Sequence, residues 1–373
     1  MKIRAWYTAL GTLALIEGTL PPVAGAAEPE FLMNPSIGFA GVIDDNVFGL
    51  SSDRERDFIL RVSPAIEAEY RGARLTVQGG YIQDAEMYLE FSELNSAKSR
   101  QYGVVQAQFR SSERLTLELE TSYLETERPN DFNVVTGLAG SRARASHTFV
   151  QPLLRYQFTP ATSAGYAYSK DRVKNGIGSE TRTEIASLSH RFTAWDTGTL
   201  QYQHQEFLFE NIDEPVNAHV VMIGDRHTFS PRTSATVMAG PRFTEESPLT
   251  EESTDIDVSV QFRQLFETSE YSLNYYRSRT TALNVVGLVD NHTISATIIY
   301  FPESTLEYRI SPAYGKSTTI DDREADGYRL TFDVTKHIDR AWSVIGGYRV
   351  TLQEGSLNAI GGEPQGSREG RVK

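Results

Sequence analysis

Seven histidines are the side chains of this sequence best able to move a proton or hold a metal near neutral pH: His147, His190, His204, His219, His227, His292 and His337. Either task needs partners at fixed spacing, such as the second histidine and glutamate of H-E-x-x-H or the serine of a G-x-S-x-G elbow. Neither motif occurs, and the histidines are scattered over segments with no common pattern. Each therefore reads as an interface or channel side chain, and the chain is expected to have no catalytic, cofactor or metal site. Asp44-Asp45-Asn46 opens like a calcium loop but lacks the spaced acids and closing glutamate of an EF-hand, so it reads as a turn. The tip NGIGSE at Asn175 is a loop and not a phosphate cradle. With 49 acidic against 36 basic residues and a formal charge of -13, nucleic acid is not an expected partner.

The elements that carry these residues are announced at the start of the chain. Lys2 and Arg4 form a basic n-region, Trp6 to Ile16 an apolar stretch of 11 residues, and Ala24-Gly25-Ala26 a small-x-small cleavage site. That is the pattern of a secretory signal peptide over residues 1–26, too short to cross a bilayer as a helix. No later stretch of 18 apolar residues follows, so helical spans are not expected. An exported chain without cysteine needs a large core or a closed hydrogen-bonded sheet. Only 39% of residues are hydrophobic, yet Tyr and Phe supply 18 each, which suits strands lying between two different solvents.

FTPATS at Phe158 and FSPRTS at Phe229 belong to a series of aromatic-then-turn landmarks. Tyr70, Phe109, Phe158, Phe192, Phe229, Phe266, Phe301 and Ile338 are separated by 39, 49, 34, 37, 37, 35 and 37 residues. Beside each turn the residues alternate. Ile256, Val258, Val260 and Phe262 interleave with Asp257, Ser259, Gln261 and Arg263, while Leu115, Leu117 and Leu119 interleave with Thr116, Glu118 and Glu120. A solenoid or propeller would turn one face into a hydrocarbon core, whereas here the second face is charged in nearly every segment. Apolar outside and polar inside, over strands of about ten residues, is the pattern of a transmembrane β-barrel.

The expected fold is therefore all-β, a transmembrane antiparallel up-and-down barrel occupying residues 27–373 as one domain. Strand 1 falls near Ser36 to Ile43 and strand 17 at Trp342 to Leu352. An even count is expected of a bacterial barrel, so about 18 strands are foreseen, the last truncated after Arg-Glu-Gly-Arg-Val-Lys373. The short turns face the periplasm, with proline and the Thr/Ser pair supplying the turn and its hydroxyl caps. Tyr70, Phe109, Phe158, Phe192, Phe229, Phe266 and Phe301 form the aromatic girdle at that interface. Longer polar loops are read at Asp44 to Arg56, Asp84 to Ser99, Glu125 to Arg142, Ser169 to Arg182, Thr244 to Asp255 and Ser317 to Asp326. Outer-membrane lipid and lipopolysaccharide are the expected partners, the acidic loops being either solvated or bridged to the latter by divalent cations.

A barrel of this size holds a water-filled channel unless loops fold into it. The polar faces predict Arg155, Arg242, Arg263, Arg309, Arg329 and Arg349 as lumen-facing, with Glu67, Glu69, Glu118 and Glu120 on the opposite wall. Two outcomes stay open: a transverse field that prefers hydrated polar solutes, or mutual pairing that merely keeps the lumen wet.

Asp44 to Ile66 reads DDNVFGLSSDRERDFILRVSPAI, an Asp-Asn pair, a polar loop, then Asp57 leading a strand through Pro64. It resembles the first hairpin of the porin type 2 outer-membrane β-barrels, whose members often accompany exopolysaccharide biosynthesis and export systems. Elsewhere the likeness is one of hairpin rhythm, and no site residue carries over. The resemblance implies a channel serving export of a secreted polysaccharide, with periplasmic export components as partners. Such a channel would have few constrictions and an inward aromatic, for which Tyr276 is the candidate. The alternative is a general or sugar-selective uptake porin with a long loop folded inward, for which Glu125 to Arg142 is the candidate. A non-conducting structural or adhesive barrel is a third reading. An enzyme is not expected.

Overall fold

A computed structural model of the chain describes residues 29–48, 54–128, 131, 142–174, 178–210, 212–282, 285, 287–339, 341–355 and 357. The signal-peptide residues and the foreseen eighteenth strand lie outside them. In chain order the strands are β1 (Glu30–Asp44), β2 (Asp57–Arg71), β3 (Leu75–Tyr88), β4 (Ser96–Arg110), β5 (Leu115–Thr126), β6 (Ala145–Thr159), β7 (Thr162–Lys174), β8 (Ser179–Arg191) and β9 (Asp196–Phe209). They continue as β10 (Ile212–Ser230), β11 (Thr233–Thr244), β12 (Ser253–Leu265), β13 (Ser269–Thr281), β14 (Leu288–Glu303), β15 (Leu306–Thr319), β16 (Glu324–His337) and β17 (Ser343–Gly355).

Each strand pairs antiparallel with the next in sequence, an up-and-down order throughout. The sheet is not closed: among the described residues β1 pairs only with β2 and β17 only with β16. It is curled around its polar face. Ser179 Oγ on β8 donates to Thr281 Oγ1 on β13 at 3.4 Å, and Leu288 of β14 packs against Phe207 and Phe209 of β9.

Alternation assigns the faces. On β5, Leu117, Leu119 and Tyr123 are exposed, while Glu118 and Glu120 are half-buried and Ser122 and Leu124 buried on the other side. The outer, apolar face recurs around the sheet, with Phe39 at 73%, Ile223 at 71% and Phe192 at 69% exposure. Side chains so exposed in the isolated chain form the belt that hydrocarbon would cover. Phe109, Phe158, Phe192, Phe229, Phe266 and Phe301 stand exposed at the short-turn rim, with Tyr70 half-buried beside them. Phe158, Phe229 and Phe301 lie where the ladder slips by a residue before its turn, a bulge that bends the strand end.

Three expectations need correcting. The strands run from 12 to 19 residues, longer than the ten foreseen. The segments read as loops continue as strand: Asp84 to Tyr88 belongs to β3, Ser169 to Lys174 to β7 and Ser179 to Arg182 to β8. Beyond the apolar belt a strand meets water on its outer face too, so polarity on both faces conceals it. The turn hydroxyls are also displaced. Thr159 Oγ1, before the proline, accepts from the Ala161 and Thr162 amides at 3.2 and 3.0 Å, and Ser230 Oγ accepts from Arg232 at 3.2 Å. Thr162 of the Thr-Ser pair instead opens β7 and meets His190 Nδ1 at 2.8 Å.

The face assignment has a direct test. Leu119→Arg on the outer face is expected to cost roughly 2–4 kcal/mol, the cost of a lipid-facing arginine near the bilayer midplane, while Glu118→Arg beside it costs far less. Urea titration of the chain refolded in lipid vesicles measures both.

Candidate functional site

The inner face carries the charges that alternation places there. On β2, Glu67 and Glu69 share a face with Arg61 and Asp57, opposite the exposed Leu60 and Ile66. Arg155 of β6 stands opposite Thr116 of β5, on the face of Glu118 and Glu120. Arg309 faces Asp333, Arg329 faces Thr351 and Arg349 faces Thr331, all on the same side of β15 to β17. Arg242 and Arg263 lie on the polar face of β11 and β12.

Pairing divides this set. Glu69 bonds Arg71 at 2.5 Å, Arg309 bonds Glu307 at 2.9 Å and Arg263 bonds Glu270 at 2.9 Å. Arg242, at 1% exposure, is ion-paired with Asp257 and reaches Asp290 at 3.5 Å. Arg279 ties the same corner, with Asp255 at 2.7 Å and Asp290 at 2.8 Å. Arg155, Arg329 and Arg349, with Glu67, Glu118 and Glu120, make no ion pair among the described residues, although Gln108 donates to Glu118 at 3.2 Å.

The most concentrated charge lies where the sequence reads as loop. Asp84, Glu86 and Tyr88 project from β3 onto the inner face near the long-loop end, and all three are buried. Arg128, just beyond β5, reaches Asp84 at 2.7 Å and Glu86 at 2.8 Å. Arg61 meets Glu86 at 2.8 Å, Ser63 donates to Asp84 at 2.7 Å and Tyr88 donates to Glu86 at 3.0 Å. Arg100 bonds Asp131 at 3.5 Å, and Asp131 in turn lies within electrostatic reach of Arg329 on β16. At the other end of the same connection, Arg142 donates to the Tyr88 hydroxyl at 2.9 Å and sits 5.0 Å from its ring centre. The Arg142 amide also bonds the Phe48 carbonyl at 3.1 Å.

Both described ends of the β5–β6 connection are thus drawn onto the inner wall. Burial disfavours the Arg128 charge, but Asp131, Glu86 and Asp84 outweigh it and lift its pKa above the ordinary arginine value. The guanidinium is a permanent cation that can hold two carboxylates at once. An apolar cap backs this latch, with Val47, Ile59 and Tyr88 buried together and Phe48 edge-on to Phe91 at 5.1 Å. The sequence signal for the latch is the alternation Asp84-Ala-Glu86-Met-Tyr88, which keeps period two inside the supposed loop.

Apart from His204 and His219, the histidines do not meet one another. His147 meets Asp171 at 2.8 Å, His219 meets Tyr202 and Glu245, His204 stacks on His219, His292 meets Tyr275, and His337 meets Ser343. Tyr276 lies on the inner face opposite Ser259, where Gln261 donates to its hydroxyl at 2.9 Å.

No family model matches the chain, and no curated protein matches it in sequence. Among solved structures it overlays the FrpB iron transporter of Neisseria meningitidis with a TM-score of 0.43 at 8% identity, covering 91% of this chain and 63% of that one. The outer membrane protein OpdK of Pseudomonas aeruginosa gives 0.44 at 12% identity, over 88% and 94% of the two chains. OccAB4 of Acinetobacter baumannii gives 0.42 at 11% identity, over 88% and 98%. The chain spans less than two thirds of the length of the iron transporter.

Arg128→Ala would leave Glu86 with Arg61 and Tyr88, and Asp84 with Ser63 and Arg100. Its expected cost is therefore about 3 kcal/mol, the low end for breaking a buried ion pair. A lower urea midpoint at unchanged slope measures it.

Proposed function

We propose that the chain is an outer-membrane channel for hydrated polar solutes, with both described ends of the connection between β5 and β6 held on its inner wall at the long-loop mouth. The observation that carries this reading is the latch. Arg128 and Arg142, at the two ends of that connection, are both bonded to inner-face groups of β3. A charged inner face under an apolar outer belt suits a water-filled path through lipid. Arg155, Arg329 and Arg349, without ion pairs among the described residues, offer that path cations to meet a passing solute. Outer-membrane lipid and lipopolysaccharide then cover the belt and its rims.

Ends tied to the inner wall favour uptake of small solutes over passage of a polymer. Export of a polysaccharide is the second reading, and Tyr276 on the inner face is what favours it, because a tyrosine ring presents a flat apolar surface to a sugar. Planar-bilayer recordings separate the two. The uptake reading expects discrete conductance from the wild type and a larger unit conductance from Arg128→Ala. Absence of conductance in both would overturn the channel. Deletion in the native host tests export: loss of surface polysaccharide with periplasmic retention supports it, and unchanged surface polymer sinks it.

Selectivity gives a further prediction. Replacing Arg329 and Arg349 together by Gln removes two inner-face cations, so the reversal potential in a salt gradient is expected to shift toward cation preference.

A further inference from the structure

Two carboxylates and an imidazole meet on the outer face of β9 and β10, near the short-turn rim. Asp196 begins β9 directly opposite His227 of β10, and Asp225 lies two residues from His227 on the same face. One ligand atom from each of the three lies within 4.8 Å of the others. We infer that Asp196, Asp225 and His227 form a binding site for a zinc-class divalent metal ion.

The surroundings make this more than a chance meeting. Asp225 shares its face with Ile223, at 71% exposure, and with Phe229, at 60%, in the belt meant for hydrocarbon and its interface. Among the described residues Asp225 makes no hydrogen bond or ion pair, whereas Asp196 already holds His227 Nδ1 at 2.6 Å. Two carboxylates beside lipid, with one imidazole between them, leave negative charge where it is poorly solvated, and a cation removes that cost. Opposite Asp225 stands Gly198, so β9 adds no side chain of its own there and the Phe192 ring edge occupies the place of its Cβ. The Phe229 ring flanks the imidazole, with centroids 4.4 Å apart.

The donor set chooses the metal. One imidazole nitrogen with two carboxylate oxygens suits zinc and its neighbours, while calcium prefers six to eight oxygens. Tetrahedral zinc, with bonds of about 2.0–2.1 Å, separates its ligands by roughly 3.3 Å, so the Asp196–His227 contact must open slightly and Asp225 must close. The ion takes the place of the hydrogen bond that now joins Nδ1 to the Asp196 carboxylate. Thr193, which donates to the other Asp196 oxygen at 2.5 Å, holds that carboxylate in position. The fourth position faces outward at the short-turn interface and is left to an interfacial water or headgroup oxygen. His147–Asp171 supplies one imidazole and a single carboxylate, which makes it the internal control.

The test is zinc titration calorimetry on the full chain refolded in detergent, with cobalt absorption as a second signal. The expected result is one zinc per chain, bound in preference to calcium, with a visible cobalt band of four-coordinate character. Asp225→Asn and His227→Gln should each weaken zinc by roughly tenfold or more, the scale of lost ligand support, while His147→Gln leaves it unchanged. Both replaced side chains point away from the lumen, so far-ultraviolet circular dichroism confirms that the variants fold. Equal zinc affinity in all four proteins would overturn the site. Wild-type zinc binding no stronger than calcium binding would overturn it without reference to any variant.

Discussion

A strand in lipid has no water to satisfy its amides and carbonyls, so every one of them must find a partner on a neighbouring strand. That requirement sets the architecture here. It explains why antiparallel pairing runs from each strand to the next, with local bulges, and why the faces alternate, since a slip of one residue along a whole strand would turn the charged set toward hydrocarbon. It also makes the two outermost strands the exception. With 17 strands in antiparallel order among the described residues, β1 and β17 run in the same direction, and each has one bonded edge there. Only a strand antiparallel to both can stand between them in the same pattern.

The ladder fixes a wall, and ionic contacts fix what stands inside it. Buried charges are tolerable only when paired and hydrogen-bonded, and Asp84 and Glu86 meet that condition through Arg61, Arg100, Arg128, Ser63 and Tyr88. Specificity of geometry is what such a network contributes. An apolar contact would tolerate several positions of the β5–β6 connection, whereas one guanidinium reaching two carboxylates tolerates few. The corner formed by Arg242, Arg279, Asp255, Asp257 and Asp290 does the same for β11 to β14.

Much of this was legible in the sequence. Period-two alternation and the aromatic before each turn located the strands, because a belt facing hydrocarbon demands apolar residues at every second position. Boundaries were not legible where that demand ends. Lys170 and Arg172 share the outer face with Tyr166, yet they read as loop because their strand has risen past the apolar belt. Alternation also put Arg155, Arg242, Arg263, Arg309, Arg329 and Arg349 on one face without saying which would pair. The pairing of Arg128 with Asp84 joins residues 44 apart, and Asp196 meets His227 across 31. Neither contact follows from local pattern; both need the register of the strands between.

Consecutive pairing also shapes how such a chain assembles. Every ladder joins strands that are neighbours in sequence, so each new hairpin closes a short loop and can add to an edge already formed. The Arg128 contacts behave differently, since they exist only once β3 through β5 stand side by side. The latch therefore forms after those ladders and not with any single hairpin, a mark that the wall on that side is complete.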